Sequence, residues 1–304
     1  MPSAIAISAT LLKPESAHGL RHRPVMLDGR SLAARAAPDL ARRASAVAAR
    51  RGRQPRLLLV AWGDDEAPPR YAIRKARACA AAGVEAIPLI LAPVVETAAA
   101  CAAVAERVAA ERLDAVFLEY PFPEGIDAGV IVDVVPEDLD VDVMTGGRIA
   151  RYHDGTGPPP LTVEAGLALL DGYGIDVDGW NGVIVAEDSP FAAMFAEALA
   201  RRGARMRLLP PSTSTARAAG NARLVIAAAA HPRLLPSRDL ADGAVVIDAG
   251  YFNPGGVGDV DTSGGIGHLA ALAPVPGGIG PMTVSTLVKR VIEFAGHDVH
   301  RRNG

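Results

Sequence analysis

Aromatic residues make up only 4% of this 304-residue chain, and cysteine occurs just twice. Cys79 and Cys101 each sit inside an alanine-rich run, which excludes a disulfide-stapled scaffold and predicts free thiols in a reducing compartment. No block of basic residues occurs and the net charge is −3, so the chain offers a polyanion little to hold, and nucleic acid is not an expected partner. Every long apolar stretch is broken by Glu, Arg or Pro within about 18 residues, and no membrane-spanning helix is expected. The opening "MPSAIAISATLLKP" lacks the early positive charge and strong apolar run of a secretion signal. Together these absences predict a cytoplasmic protein. Zinc-type Cys/His spacing and a Gly-x-Ser-x-Gly elbow are also missing, so neither a metal site nor a hydrolase elbow is expected.

What the chain does have is core-forming material. Half of it is hydrophobic and 21% is charged, and its length suits about two domains. Apolar, β-rich runs alternate with helix-period runs. "RLLLVAW" (Arg56–Trp62), "VEAIPLIL" and "DAVFLEY" (Asp114–Tyr120) read as strands, separated by "PPRYAIRKARACAAAG" and "ETAAACAAVAERVAAER" as helices. A Pro/Gly-rich break, "HDGTGPPP" (His153–Pro160), interrupts the pattern, which then restarts. "GVIVA" (Gly182–Ala186), "ARMRLL", "RLVIAAA" (Arg223–Ala229) and "GAVVIDAG" (Gly243–Gly250) are strands, with "FAAMFAEALARRG" a helix after the first of them. Strands alternating with helices predict parallel sheets with right-handed crossovers, hence an α/β protein of two domains with a cleft between them.

Several short motifs carry chemistry. Tyr71 and Lys75 are four apart on one predicted helix and so share a face. Spacing alone equally fits a solvated lysine beside a half-buried tyrosine. A Tyr-x-x-x-Lys pair is also found in short-chain dehydrogenases. Those place a nucleotide fold and a serine ahead of the tyrosine, and here no Ser or Thr lies between Ser45 and Tyr71. "LEYPFP" (Leu118–Pro123) follows a predicted parallel strand, at the end where α/β proteins collect ligands. "PEDLDVDV" (Pro136–Val143) adds a cluster of acids, and "PLT" (Pro160–Thr162) follows. Near the C-terminus, "PVPGGIGPMTVSTL" (Pro274–Leu287) spends three prolines and three glycines on its first eight residues. A backbone so specified either turns a corner or lets a ligand approach the main chain.

From "MLDGRSLA" (Met26–Ala33) to the C-terminus, these motifs stand in one family's order and spacing. The chain resembles the bifunctional methylenetetrahydrofolate dehydrogenase/cyclohydrolase family, most specifically in "PVPGGIGPMT". The resemblance implies an N-terminal three-layer α/β catalytic domain (1–158 plus 284–304) and a C-terminal Rossmann-like, doubly wound domain (159–283), with the last helix returning to the first domain. It implies interconversion of 5,10-methylene-, 5,10-methenyl- and 10-formyl-tetrahydrofolate, NADP or NAD as cofactor, a tetrahydrofolate derivative as substrate, and a homodimer. Lys75 matches the lysine of the one-carbon chemistry, Tyr71 the tyrosine stacked on the folate, and Asp142 the aspartate gripping the pterin. Pro276, Gly277, Gly278, Pro281 and Thr283 match the loop bordering the folate beside the nicotinamide. Ala186, Asp188, Ser189, Ala230, Gly250 and Thr283 fall at cofactor positions.

The chain departs from the family pattern in ways that bear on chemistry. Glu119 replaces the usual Gln beside the catalytic lysine. It would favour the ammonium form of Lys75 and weaken it as a base, while its carboxylate could attract a cationic methenyl-folate. Leu139 stands for a Lys, Val143 for a Gly, and Pro68 for a Ser or Thr in the acidic loop "WGDDEAPP". After "GVIV", Ala186 replaces a Gly and Glu187 an Arg that answers the extra phosphate of NADP, and Ala230 replaces a further Gly. No Gly-x-Gly-x-x-Gly survives, which predicts weak or lost NADP binding on a retained fold. The alternative is a paralogue that binds a pterin with little catalysis. Of seven histidines (His18, His22, His153, His231, His268, His297 and His300), the pair in "HDVH" has i, i+3 spacing but reads as a polar surface tail. "TSGGIG" (Thr262–Gly267) reads as a flexible loop.

Overall fold

The computed structural model describes residues 23–63, 69–212, 214–250 and 256–302. Most of the acidic loop with Pro68 lies outside the described residues, as do His18, His22 and the side chain of His300. In chain order the first elements are β1 (Val25–Met26), α1 (Gly29–Arg51), β2 (Arg56–Trp62), α2 (Arg70–Ala81), β3 (Glu85–Leu91), α3 (Thr97–Ala110), β4 (Ala115–Leu118), α4 (Ala128–Asp133) and α5 (Gly146–His153). They are followed by α6 (Leu161–Gly172), β5 (Asn181–Val185), α7 (Pro190–Ala200), β6 (Arg205–Leu209), α8 (Thr215–Ala219), β7 (Leu224–Ala227) and β8 (Leu235–Pro236). The last are β9 (Val245–Asp248), β10 (Val260–Asp261), β11 (Ala271–Ala273) and α9 (Ile279–Arg302).

Two compact units result, one from residues 34–161 with 284–302, the other from 23–33 with 162–283. In the first, β2 lies between β3 and β4, all parallel. Side chains of a strand alternate between faces. Leu57, Leu59 and Ala61 therefore join Leu40 and Ala44 of α1, Cys79 of α2, and Leu287 and Val291 of α9. Leu58 and Val60 face Ala100 and Val104 of α3 and Ile131 of α4. A sheet with helices on both faces gives three layers, and it explains why β2 reads as an unbroken apolar run. Leu57, Leu58 and Leu59 are wholly buried, each contributing about 1.5–3 kcal/mol.

In the second unit the parallel order is β1-β11-β9-β7-β5-β6, with β10 and β8 paired separately. The chain leaves β5 through α7 to β6 on one side, and β7 lies on the other side of β5. That reversal is a doubly wound topology with its switch point between β5 and β7.

The α/β class stands, and α9 supplies Leu287, Val288, Val291, Ile292 and Ala295 to the first unit's core, as a returning helix should. Two details differ from the sequence reading. Residues 23–33 group with the second unit, because β1 pairs with β11 and the Leu27 N–H donates to the Leu272 carbonyl at 2.8 Å. A two-residue strand leaves no periodicity to read. Second, α9 begins at Ile279, so Pro281 and Thr283 are helical. A proline in the first turn forgoes no intrahelical hydrogen bond. No helix among the described residues is long and apolar enough to cross a membrane.

Candidate active site

Helix α2 begins immediately after Pro69 and buries Ala72, Lys75 and Cys79 on one face. Lys75 is only 5% exposed. Its Nζ donates to both carboxylate oxygens of Glu119, each at 2.7 Å. Glu119 directly follows β4. Its N–H donates to the Val60 carbonyl at 2.8 Å and its carbonyl accepts from Trp62 Nε1 at 2.9 Å, so strand pairing fixes its position. The ammonium lies 5.3 Å from the Tyr71 ring centroid and 4.8 Å from that of Phe117. Tyr71, Lys75 and Glu119 thus come together as their motifs imply. Phe117 and Trp62 were not singled out in the sequence, although the period of β4 puts Phe117 and Glu119 on one face. A paired charge this covered is held firmly, and removing one partner of such a pair costs about 3–5 kcal/mol.

Asp142 lies in the loop between α4 and α5. Its Oδ1 accepts the N–H of Leu161 at 2.9 Å, and its own N–H donates to Asp140 Oδ1 at 3.1 Å. Burial pushes the Asp142 carboxyl up to about 6, against the Leu161 hydrogen bond and the cations Arg290 and Lys75. Asp140 organises the loop by accepting from Met144 N, Thr145 N and Thr145 Oγ1 at 2.8, 2.8 and 2.9 Å. Val143, at a family glycine position, takes φ +61°, where a β-branched residue is strained.

In the second unit the Pro/Gly stretch seats a turn. Gly277 adopts φ +120° and its carbonyl accepts the Gly29 N–H at 3.0 Å. A Cβ on Gly29 would lie 1.9 Å from the Gly278 carbonyl oxygen, so this approach requires glycine. Pro276 follows a cis peptide bond. In the first turns of α9, Thr283 Oγ1 donates to the Ile279 carbonyl at 3.2 Å, and Pro281 precedes it.

At the switch point, Ala186 is buried while Glu187 and Asp188 are exposed. Ser189 caps α7, its Oγ accepting the Ala192 N–H at 3.3 Å. Ala230 stands at φ +54°. The amides of Ala229, Ala230 and His231 all donate to Asp259, at 2.6, 3.2 and 2.8 Å. Asp248 accepts from Gly250 and Asp259 at 3.1 Å and from Val260 at 2.9 Å, and burial pushes its carboxyl up to about 7. The space a Gly250 side chain would fill holds the Asp259 carboxylate. A nicotinamide dinucleotide fits this frame, with an exposed turn opening the N-terminus of an eleven-residue helix beside the switch point. The side chains of Glu187 and Asp188 add negative charge there, which suits a ribose hydroxyl better than a further phosphate.

Residues 27–142 match the family model of the tetrahydrofolate dehydrogenase/cyclohydrolase catalytic domain, and 160–299 that of its NAD(P)-binding domain. The chain belongs to the tetrahydrofolate dehydrogenase/cyclohydrolase family. The bifunctional protein FolD of Cellvibrio japonicus is 33% identical over 279 residues, covering 88% of this chain and 96% of that protein. Among solved structures, the FolD of Trypanosoma brucei, complexed with NADP and an inhibitor, superposes with a TM-score of 0.83 at 25% identity, covering 91% of this chain and 99% of its own. That of Campylobacter jejuni gives 0.80 at 25% identity, covering 90% and 99%. For this member of the tetrahydrofolate dehydrogenase/cyclohydrolase family, nothing in these likenesses favours a paralogue that only binds a pterin.

Proposed function

We propose that this chain interconverts 5,10-methylene-, 5,10-methenyl- and 10-formyl-tetrahydrofolate, with Lys75 as its proton-handling residue. The observation that carries the reading is the part-buried Lys75–Glu119 pair, its ammonium over the Tyr71 and Phe117 rings, in the unit that matches the catalytic-domain model. Opening the methenyl ring removes both protons of the attacking water as its oxygen becomes the formyl carbonyl; one is delivered to the ring nitrogen as its bond to the one-carbon unit breaks, and the other is released to solvent. A lysine paired with a carboxylate can do both. Tyr71 offers a flat apolar platform to a pterin. Asp142 accepts paired N–H donors when ionised. In the second unit, Pro276, Gly277, Gly278, Pro281 and Thr283 are assigned to the same ligand on the resemblance alone.

NAD or NADP, when bound, accepts the hydride that leaves the methylene carbon. The turn of Ala186, Asp188 and Ser189 at the head of α7 would hold it, with Ala230, Gly250 and Thr283 assigned to it by resemblance. The protein's part is to orient it and to keep Lys75 charged or neutral as each step requires. The assay follows methenyl-tetrahydrofolate absorbance, once without nucleotide and once from the methylene form with NAD or NADP. Lys75→Met is expected to abolish turnover, by 1,000-fold or more, while folate still binds. Full turnover in that variant would refute the assignment. A homodimer in the cytoplasm is part of the same reading. Sedimentation showing a monomer at micromolar concentration, or fractionation away from the cytoplasm, would remove that part.

A further inference from the structure

We infer that Arg290 is the positioning residue for Asp142. The inference rests on Asp142 holding the folate and goes beyond it by naming what sets that carboxylate's place and charge. Arg290 is the largest wholly enclosed side chain among the described residues, 2% exposed, and it lies on α9, far along the chain from the site motifs. Its Nη1 donates to the Val141 carbonyl at 3.1 Å, the peptide group immediately before Asp142. Val141 in turn donates to the Val116 carbonyl of β4 at 3.3 Å. The strand edge holds the N–H of Val141 and a guanidinium holds its carbonyl, so both ends of the residue before Asp142 are fixed.

The same guanidinium sets the local charge. Asp142 faces Arg290 from α9, Lys75 from α2, Asp140 from its own loop and the Leu161 N–H at the start of α6. Arg148 of α5 interacts with both Asp140 and Arg290. Two cations favour ionised Asp142, and one anion and burial oppose it. Lys75 is already committed to Glu119 through both carboxylate oxygens. Arg290 is therefore the cation that keeps Asp142 able to accept N–H donors in neutral solution.

The test compares Arg290→Gln, which removes the charge and keeps an amide donor, with Arg290→Lys, which keeps the charge. The Asp142 carboxyl is titrated by carbon-detected NMR in the substrate-free protein, and folate KM and kcat are measured between about pH 5 and 8. In Arg290→Gln we expect Asp142 to bind its proton about tenfold more tightly. Folate KM should rise by about twofold at neutral pH and by nearly tenfold near pH 5, with kcat changed far less, and the acid limb should move to higher pH. Arg290→Lys should restore the limb. A purely structural role would lower thermal stability and leave the carboxyl titration in place, and that result would overturn the inference. If Arg290→Gln does not fold, Arg290→Lys decides alone. A limb that moves although the charge is kept overturns the inference, and one that stays put with a raised KM supports it. An inactive wild-type protein whose Asp142 still titrates as expected would instead count against the folate reading.

Discussion

Replacing Glu119 by Gln isolates the charge pair at the candidate site of the first unit. Gln keeps the shape and one oxygen that can accept from Lys75 Nζ, but removes the charge facing the ammonium across two 2.7 Å contacts. Unit charges about 4 Å apart attract by about 4 kcal/mol at an effective dielectric near 20. Glu119 keeps some water contact, with 16% of its side chain exposed, and a hydrogen bond survives in the variant. About half of that attraction, roughly 2 kcal/mol, should then vanish, and it opposes every step in which Lys75 gives up its proton. A barrier lowered by 2 kcal/mol is a rate raised about thirtyfold. We expect kcat for methenyl-tetrahydrofolate hydrolysis to rise by about ten- to thirtyfold in Glu119→Gln. KM for the cationic methenyl form should rise by a few-fold as the attracting carboxylate is lost. Stopped-flow absorbance resolves both. A kcat that instead fell by tenfold or more would refute the reasoning and make Glu119 the proton carrier.

Two further outcomes follow from the second unit. Glu187→Arg places a cation on the exposed turn at the head of α7, and NADP affinity measured by calorimetry is expected to tighten by about tenfold or more, with NAD changing less. Equal effects on the two nucleotides would show that the turn does not discriminate between them. Ala230 is exposed and held at φ +54°, a conformation that costs an L-residue about 1–2 kcal/mol. Part of that is offset by glycine's greater freedom in the unfolded chain. Ala230→Gly should therefore raise unfolding stability by about 0.5 kcal/mol in urea, and a lower midpoint would count against the strain.

The first unit's strands were legible because burial on both faces makes a parallel strand one continuous apolar word, as in Arg56–Trp62, whose ends agree with β2. The Tyr71–Lys75–Glu119 group was legible through the family resemblance; spacing alone placed only Tyr71 and Lys75 on one helix face. Arg290 was not. It reaches the Asp142 loop from α9, across a sequence separation of 149 residues to Val141, and no spacing rule connects such residues. Strand β1 escaped because two residues cannot show a period. Replacing the glycines leaves the path in place at two positions: Val143 and Ala230 hold left-handed conformations at φ +61° and +54° that glycine would take freely. The surrounding hydrogen bonds impose the path, and the side chain bears the strain.

The two buried aspartates of the second unit make the turn after β7 rigid and leave the turn after β5 permissive. Asp259 fastens three consecutive amides after β7, and Asp248 fastens the backbone that carries Asp259. Lengthening or re-cutting either stretch would orphan a carboxylate in the interior, so the two can be exchanged between homologous proteins only as a matched set. The neighbouring bend at residues 186–189 is tied down chiefly by a single serine cap. Whatever chemistry an engineer or a lineage wishes to try at this end of the sheet, that bend is the cheap place to write it.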